Sequence, residues 1–434
     1  MNSTDHPKKL DRSKELLERA FRVIPSGTQT FSKGPNQWAR GVSPAFLERG
    51  EGAWVWDVDG NRYLDHLMAL GPIVLGYNSP AVSDAVARQL RDGAVFSQMH
   101  RLEVEVAEKL CELIPCAEMV RFGKNGSDVT TAAVRASRAF TGRERVAFAG
   151  YHGWHDWYIG TTTRDRGVPK AVKALSHTFA YNDIDSLSAL FERFPGEFAC
   201  VMMEPMGIED PKPGYLQAVK TLCEEHGAIL VFDEIVSGFR VSMGGAQAHF
   251  GVTPHLACFG KAMANGLPLS AVVGRKDIMM VFDEIFFSGT FGGEALSLAA
   301  CQATLAEMNR IDAIQKIWGY GAKLSAEITD QIERHGLGDH VQLLGLPVRS
   351  VVAFPNAVEK ESLLRRTFFM QECVKRGLLY FCSHIPCAAH GDAELKFTAQ
   401  VLREVFPLFA DAERAKDFAS RLDGPCVEAI FRRA

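Results

Sequence analysis

The chain has 434 residues, 47% of them apolar, and a formal net charge of -4 at pH 7, which suits a large buried core divided into a major and a smaller domain. The small net charge and the lack of a long basic block argue against nucleic acid as a partner. The apolar runs are far shorter than the roughly 20 residues that cross a bilayer, and the N-terminal residues lack the apolar core of a signal peptide, so neither a membrane span nor secretion is expected.

The ten cysteines show no paired CxxC spacing. In a chain of this size they indicate reduced thiols and a cytoplasmic protein rather than a disulfide framework or a zinc site.

The first predicted elements are a helix over residues 11–23 and two short strands within residues 53–65, joined by an Asp-Gly turn. Ser79 followed by Pro80 predicts the start of another helix, with serine as the cap and proline in the first turn.

From about residue 118 short apolar runs recur with helical segments between several of them. Runs buried on both faces and separated by helices predict a mostly parallel sheet in an α/β domain. Beyond about residue 315 the pattern predicts a smaller α+β unit, with strands near residues 348–354 and 378–381 and a helix from about 393. We therefore expect a large domain over residues 66–315 and a small domain over residues 316–434, with residues 1–65 packing against the small domain.

Ligands of open α/β sheets bind beyond the carboxyl ends of the strands, and the first motif at such an end is residues 121–130. A strand, a glycine-containing turn and a helix follow one another there. The N–H groups and positive dipole end of the helix suit a phosphate, Gly126 lets the backbone approach closely, and Ser127 adds a hydroxyl. An ordinary capped helix explains this motif equally well.

Tyr151 and His152 follow the next strand and are flanked by glycines. They predict a flat aromatic surface on which a planar cofactor could stack, although an ordinary aromatic loop is the alternative. A metal site built from His152, His155 and Asp156 is a further alternative. The glycine between the histidines argues against it, because two-histidine metal sites usually need a helical face.

Asp233 ends a strongly apolar strand, where an unpaired carboxylate would be costly. Its partner could be Arg240 in a plain salt bridge, or a heteroaromatic nitrogen that the carboxylate keeps protonated. The small-residue loop of residues 287–293 offers Thr290 and neighbouring N–H groups as a second set of phosphate donors; by itself it is only a flexible turn.

Lys261 lies in the apolar stretch of residues 255–274. A buried lysine is more easily neutral, and a neutral amine attacks an aldehyde to form a Schiff base. A side chain that reaches from the strand end to water is the alternative. Together the motifs describe a ligand with a phosphate, a flat ring, a ring nitrogen and an aldehyde, which is pyridoxal 5'-phosphate (PLP).

The sequence resembles the class III (subgroup II) aminotransferases of fold type I, and among them the glutamate-1-semialdehyde aminomutases. The resemblance runs over nearly the whole chain. The motifs that carry it are WDVDGNRY (residues 56–63), GYHG (150–153), EP (204–205), VFDEIVSGFR (231–240), GK (260–261), GLP (266–268) and SGT (288–290).

The resemblance implies roles for individual residues. Lys261 would be the Schiff-base lysine and proton shuttle, and Asp233 would pair with the pyridine nitrogen. Ile235 and Tyr151 would pack on the two faces of the cofactor ring, with His152 as an aromatic neighbour. Glu204 would lie near the ring hydroxyl, and Gly126 and Ser127 would bind the phosphate. Thr290 would contact the phosphate of the cofactor in a neighbouring subunit. The last role implies a homodimer with shared active sites.

The resemblance is weakest where it would define the substrate. Lys33 falls where the aminomutases carry an arginine for the substrate carboxylate, Leu70 lies near their tryptophan, and residues 381–390 do not match their substrate loop. We therefore predict amino-group transfer from an amino donor to an aldehyde or ketone through a Lys261 Schiff base and a pyridoxamine form. An intramolecular amino shift of the semialdehyde type is the alternative, and a metal-dependent hydrolase using His152, His155 and Asp156 is an alternative of another class.

Overall fold

The computed structural model describes residues 8–355 and 357–429, and these form two compact units. The unit that we call the large unit comprises Gly71–Ile73 and Pro80–Ile314. The small unit comprises the described residues up to Leu70, Val74–Ser79, and the described residues from Gln315 onward. None of the helices in the described parts of the chain is long and apolar enough to cross a membrane.

The strands of the described residues are, in chain order, β1 (Leu47–Glu51), β2 (Trp54–Asp57), β3 (Arg62–Asp65), β4 (Met119–Gly123), β5 (Arg145–Ala149), β6 (Ser176–Thr178), β7 (Phe198–Met203), β8 (Ile229–Asp233), β9 (Leu256–Phe259), β10 (Ser270–Gly274), β11 (Gln342–Leu346), β12 (Arg349–Ala353), β13 (Leu378–Leu379) and β14 (Ser383–His384).

The α-helices are α1 (Asp11–Val23), α2 (Pro80–Asp92), α3 (Arg101–Leu113), α4 (Gly126–Thr141), α5 (Asp156–Ile159), α6 (Lys170–Lys173), α7 (Ile184–Arg193), α8 (Tyr215–Glu225), α9 (Gly245–Phe250), α10 (Lys276–Met279), α11 (Ala295–Arg310), α12 (Ala313–Arg334), α13 (Glu359–Lys375) and α14 (Asp392–Ala415).

The large unit is built on a seven-stranded sheet in the order β4-β10-β9-β8-β7-β5-β6. Neighbours from β9 to β6 are parallel, whereas β10 is antiparallel to both β4 and β9. Every residue of β7 and β8 is buried, which explains their continuous apolar sequences. The mostly parallel α/β sheet predicted from the sequence is therefore confirmed.

Helix α4 packs on this sheet through one apolar face. Val129, Ala132, Ala133 and Ala136 are all buried in one core cluster with residues of β8, β9 and β10. The helix ends at Gly142, which adopts a left-handed conformation that only glycine takes without strain.

The small unit contains a four-stranded sheet in the order β1-β2-β3-β13 and a three-stranded sheet in the order β11-β12-β14. The predicted turn between β2 and β3 is present: the Asp57 carboxylate accepts hydrogen bonds from the backbone N–H groups of Asp59 and Asn61. Strand β3 pairs in parallel with β13, so early and late parts of the chain share one sheet.

The sequence prediction missed several strands. Strand β10 lies within the apolar stretch that also holds Lys261, and the short strands β6 and β14 carry two or three residues each. Such short pieces lack a period that a sequence can reveal.

Candidate active site

The predicted site residues of the large unit follow strands that end at one edge of its sheet. Strands β5, β7, β8 and β9 run in the same direction, and β4 shares that direction because it and β9 are both antiparallel to β10. Their carboxyl ends lead into Gly126 and Ser127 (after β4), Tyr151 and His152 (after β5), Glu204 (after β7), Asp233 (the last residue of β8) and Lys261 (after β9).

Asp233 is 4% exposed and is held by hydrogen bonds on both carboxylate oxygens. Its Oδ2 atom lies 2.8 Å from Nδ1 of His152, and its Oδ1 atom accepts a bond of 3.1 Å from the backbone N–H of Ile235. The sequence left the partner open between Arg240 and a ligand nitrogen; the structure supplies His152. The carboxylate is therefore fixed in orientation by the protein.

His152 has a defined role in this pair because of its second nitrogen. Nε2 lies 3.1 Å from the carbonyl oxygen of Ala149, which can only accept, so Nε2 carries a hydrogen. Nδ1 in turn lies against Oδ2 of Asp233, so the ring is held between a backbone carbonyl and a carboxylate. The ring stacks on Trp157, with centroids 6.2 Å apart and planes inclined by 14°.

The two residues that the sequence groups as one flat aromatic surface, Tyr151 and His152, lie in different environments. His152 is 2% exposed and surrounded by aromatic side chains. Tyr151, in contrast, is 54% exposed. The two neighbours point to different environments because the chain turns through Gly150 and Gly153, both at φ +108°.

The loop after β5 is hydrogen-bonded to the start of α4 and to Glu204. The backbone N–H of Tyr151 donates to Oε1 of Glu204 at 3.2 Å, and that of Trp154 donates to Oγ of Ser127 at 3.3 Å. Burial, with a further contribution from the charge of Asp233, raises the pKa of the Tyr151 phenol. Tyr151 therefore stays a neutral phenol beside an anionic carboxylate.

Lys261 is half-buried and has a φ of 40°, a left-handed backbone conformation that is uncommon for a residue with a side chain. Asn265, four residues later, is also left-handed, with a φ of 42°. Strained residues of this kind persist only where the surrounding structure imposes them, and they are frequent at functional sites.

Glycines leave space around Ile235, between Asp233 and the lysine segment. A Cβ atom at Gly260 would lie 3.1 Å from Cδ1 of Ile235, and one at Gly126 would lie 3.3 Å from the same side chain. A Cβ atom at Gly153 would come within 2.2 Å of Oγ of Ser127. The backbone of three loops thus closes around Ile235 and Ser127, where larger residues would not fit.

Thr290 is exposed in the loop before α11 and lines a cleft of about 360 Å³ with Lys124, Arg135 and His155. The loop is held at its start by Arg121, which donates to the carbonyl oxygen of Phe287 at 2.6 Å. At its end, Glu294 caps α11 and accepts a bond of 2.9 Å from Nζ of Lys124.

The remaining predictions concern Lys33 and the metal alternative. Lys33 is exposed and belongs to the small unit. His155 does not join His152 at a common point, because its Nδ1 is bonded to Oγ1 of Thr131 at 2.6 Å. A search of the described residues finds no group of histidine, cysteine, aspartate or glutamate side chains suited to a metal ion.

Two contacts of the site gave no sequence signal. Trp157 reads as an ordinary aromatic residue, yet it stacks on His152 and donates from Nε1 to Oγ1 of Thr131 at 2.9 Å. Thr130 reads as an ordinary helix residue, yet its hydroxyl donates to the carbonyl oxygen of His152 at 2.9 Å.

Comparisons with known proteins agree with this geometry. The model of the family described as aminotransferase class III matches residues 37–387. The chain is 37% identical over 407 residues to the 3-aminobutyryl-CoA aminotransferase of Cloacimonas acidaminovorans, a match that covers 91% of this chain and 97% of that protein.

Solved structures of the same kind are similar over nearly the whole chain. The FumI protein of Sphingopyxis sp. MTA144, in its PLP internal aldimine form, matches with a TM-score of 0.86 and 28% identity, covering 93% of this chain and 98% of that one. A β-phenylalanine aminotransferase from Variovorax paradoxus matches with a TM-score of 0.80 and 25% identity, covering 93% and 94%. A glutamate-1-semialdehyde aminomutase from Pseudomonas aeruginosa matches with a TM-score of 0.81 and 23% identity, covering 92% and 94%, which shows a shared fold.

The buried pair predicts a large effect of His152→Ala. This change leaves the carboxylate of Asp233 buried without its ring partner, and breaking a buried pair from one side costs about 3–5 kcal/mol. We expect scanning calorimetry to show a clearly lower melting temperature for His152→Ala. The double variant His152→Ala with Asp233→Asn should recover part of that decrease, because it no longer buries an unpaired charge.

The matched control is His155→Ala, a half-buried histidine of the same loop. If His152→Ala and His155→Ala melt at the same temperature, the pair of His152 and Asp233 does not stabilise the site as described.

Proposed function

Since the chain belongs to the class III aminotransferases, we propose that Lys261 and Asp233 are the residues through which this enzyme transfers amino groups with PLP. The family and its relatives show a PLP-dependent aminotransferase of fold type I. The observation that best supports the assignment is that the two residues lie at the ends of neighbouring strands. Asp233 ends β8 opposite Cys258 of β9, and Lys261 lies three residues beyond Cys258.

The residues present fit the cofactor. PLP supplies an aldehyde that condenses with amines and a protonated ring that draws electrons from the bond being broken. Asp233 is buried and its orientation is fixed by His152, so it can stabilise a proton on the ring nitrogen. The first N–H groups of α4 and the hydroxyl of Ser127 would hold the phosphate, where the glycines at 126 and 153 keep the backbone open.

Residues of the protein itself would move the proton and position the cofactor ring. Lys261 would attach the cofactor and, once released by the substrate amine, carry the proton away from the substrate carbon. Ile235 would pack on one face of the ring and Tyr151 on the other, while Glu204 positions the Tyr151 loop through its backbone bond. With the cofactor bound, these side chains would hold its ring in place between them.

A homodimer with shared sites is supported by exposed apolar side chains of two adjacent segments. Met99 is 86% exposed, Phe286 79% and Phe291 57%. The segments adjoin, because the backbone N–H of Ala295 bonds to the carbonyl oxygen of Ala94 at 2.8 Å. Exposed apolar side chains are typical of protein interfaces, and Phe286 and Phe291 belong to the same loop as Thr290, the residue assigned to the neighbouring subunit's phosphate.

For the substrate we propose intermolecular transfer to a 3-oxo acyl compound, preferably a thioester. Two relatives are named for substrates with the amino group on the third carbon: the 3-aminobutyryl-CoA aminotransferase and the β-phenylalanine aminotransferase. A thioester lacks the free carboxylate that an arginine fork would bind, and this chain has Lys33 where the resemblance places that arginine.

Ten free thiols support a reducing, cytoplasmic setting.

Lys261→Ala tests the catalytic assignment. We expect turnover with any amino donor to fall by about 10²–10⁴-fold or more, because the group that moves the proton is lost. Lys276→Ala, an exposed lysine of the same unit, should retain normal rates.

The same assay should be repeated with a metal chelator. Undiminished turnover of the Lys261→Ala variant would contradict the role assigned to Lys261, and loss of wild-type activity to the chelator would indicate the metal requirement that the hydrolase alternative needs.

The substrate class is tested by adding single acceptors to the pyridoxamine form. We expect acetoacetyl-CoA to restore the PLP spectrum faster than acetoacetate or succinic semialdehyde, because the thioester needs no carboxylate clamp. Glutamate 1-semialdehyde should not be converted to 5-aminolevulinate. Conversion of that compound at a rate matching or exceeding that with acetoacetyl-CoA would favour the aminomutase.

Subunit mixing tests whether Thr290 acts across the dimer. Thr290→Ala should weaken cofactor binding by about tenfold, the loss of one hydrogen bond to a charged group. If Thr290 serves the neighbouring site, hybrids of the Lys261→Ala and Thr290→Ala chains contain one complete site, and at limiting PLP the mixture gains activity over both parents. No gain, with hybrids confirmed by native mass spectrometry, means that Thr290 acts within its own subunit.

A further inference from the structure

The small unit contains a cleft of about 810 Å³ that has no part in amino transfer as described above. Its walls come from the loop after α12, the start of α13, and the end of α14 with the turn beyond it. A volume of this size is within the range of clefts that bind small molecules.

Arg365 is the central polar group of this cleft. It is only 8% exposed, and its Nε and Nη2 atoms donate to the two carboxylate oxygens of Glu413, each at 2.7 Å. Its third nitrogen, Nη1, is buried and has no hydrogen-bonding partner among the protein atoms. A buried guanidinium N–H without an acceptor is costly, so an acceptor supplied by a ligand would stabilise it.

Other basic side chains line the same cleft. Lys360 and Lys416 are exposed, and Arg414 is exposed and paired with Asp411 outside the lining. Four lysine and arginine side chains face two glutamates in the lining, and counting Asp411 as the partner of Arg414 still leaves one excess positive charge. The cleft therefore favours an anion.

The floor of the cleft is apolar. Leu337 and Phe418 are buried, Leu364 is half-buried, and all three line the cleft. A simple ion would leave this surface wet, whereas an organic body attached to the anion would cover it.

We propose that this cleft binds a phosphate monoester of a small molecule with a planar or apolar body. A phosphate carries a charge of about -1.5 to -2 near neutral pH and several acceptor oxygens. Its oxygens would take the ammonium groups of Lys360 and Lys416, and one would reach Nη1 of Arg365 after the side chains that cover this buried atom move aside. A carboxylate has two oxygens and one charge, so it matches this donor set less well.

Isothermal titration calorimetry on the PLP-loaded enzyme tests the proposal, with adenosine 5'-monophosphate, inorganic phosphate, adenosine and succinate as probes. We expect adenosine 5'-monophosphate to bind tightest and inorganic phosphate more weakly, with adenosine and succinate weaker still. Binding should weaken as ionic strength rises, because the lysines are exposed. Absence of binding by both phosphate probes, or equal binding of succinate and adenosine 5'-monophosphate, overturns the proposal.

Variants locate the binding in the cleft. Arg365→Lys keeps a cation for Glu413 but removes the Nη1 donor, and we expect the affinity for adenosine 5'-monophosphate to fall about tenfold. Lys360→Gln with Lys416→Gln removes two exposed charges and should also weaken binding without affecting the fold. The matched control is Lys323→Gln with Lys396→Gln, two exposed lysines of the same unit outside the cleft.

A purely structural role for Arg365 predicts a different pattern. In that case Arg365→Lys would change the melting temperature alone, and the pair of lysine variants and their controls would bind the probes alike. Either result contradicts the phosphate site. Because the titration reports binding rather than turnover, its outcome is independent of the amino-transfer assignment.

Discussion

The site depends on one buried carboxylate, Asp233, whose position is fixed by its neighbours. Strand β8 is apolar and fully buried, so a charge at its end requires compensation. His152 and the backbone N–H of Ile235 supply it, and the aromatic side chains around His152 hold that ring in place. In the function that we propose, this fixed carboxylate would hold the proton of the cofactor ring, and the lysine that follows the next strand, β9, lies at the same sheet edge.

Much of this arrangement could be predicted from the sequence, because the signals were local. The apolar runs of β5, β7, β8 and β9 each stood between helical segments, and the helix face of α4 was regular. Asp233 and Lys261 were visible as a charge and an amine in apolar stretches. The family and the cofactor followed from several short motifs in one order, and the comparisons confirm both.

What could not be predicted depends on contacts between distant segments. His152 lies 81 residues before Asp233, and no local pattern links them. The left-handed conformation of Lys261 is imposed by its packed surroundings, because lysine has no preference for it. The cleft around Arg365 combines α13 with α14, and neither helix by itself indicates a cleft. Substrate contacts are of the same kind, which explains why the chemistry is better defined than the substrate.

The most direct measurement is to reduce the PLP-loaded enzyme with borohydride, digest it, and locate the pyridoxyl group by mass spectrometry. Reduction makes the bond between the lysine and the cofactor permanent, so the modified peptide identifies the attachment point without relying on turnover. The arrangement described here predicts one modified residue, Lys261. A pyridoxyl group on another lysine, or no modified peptide from a fully loaded enzyme, would contradict it.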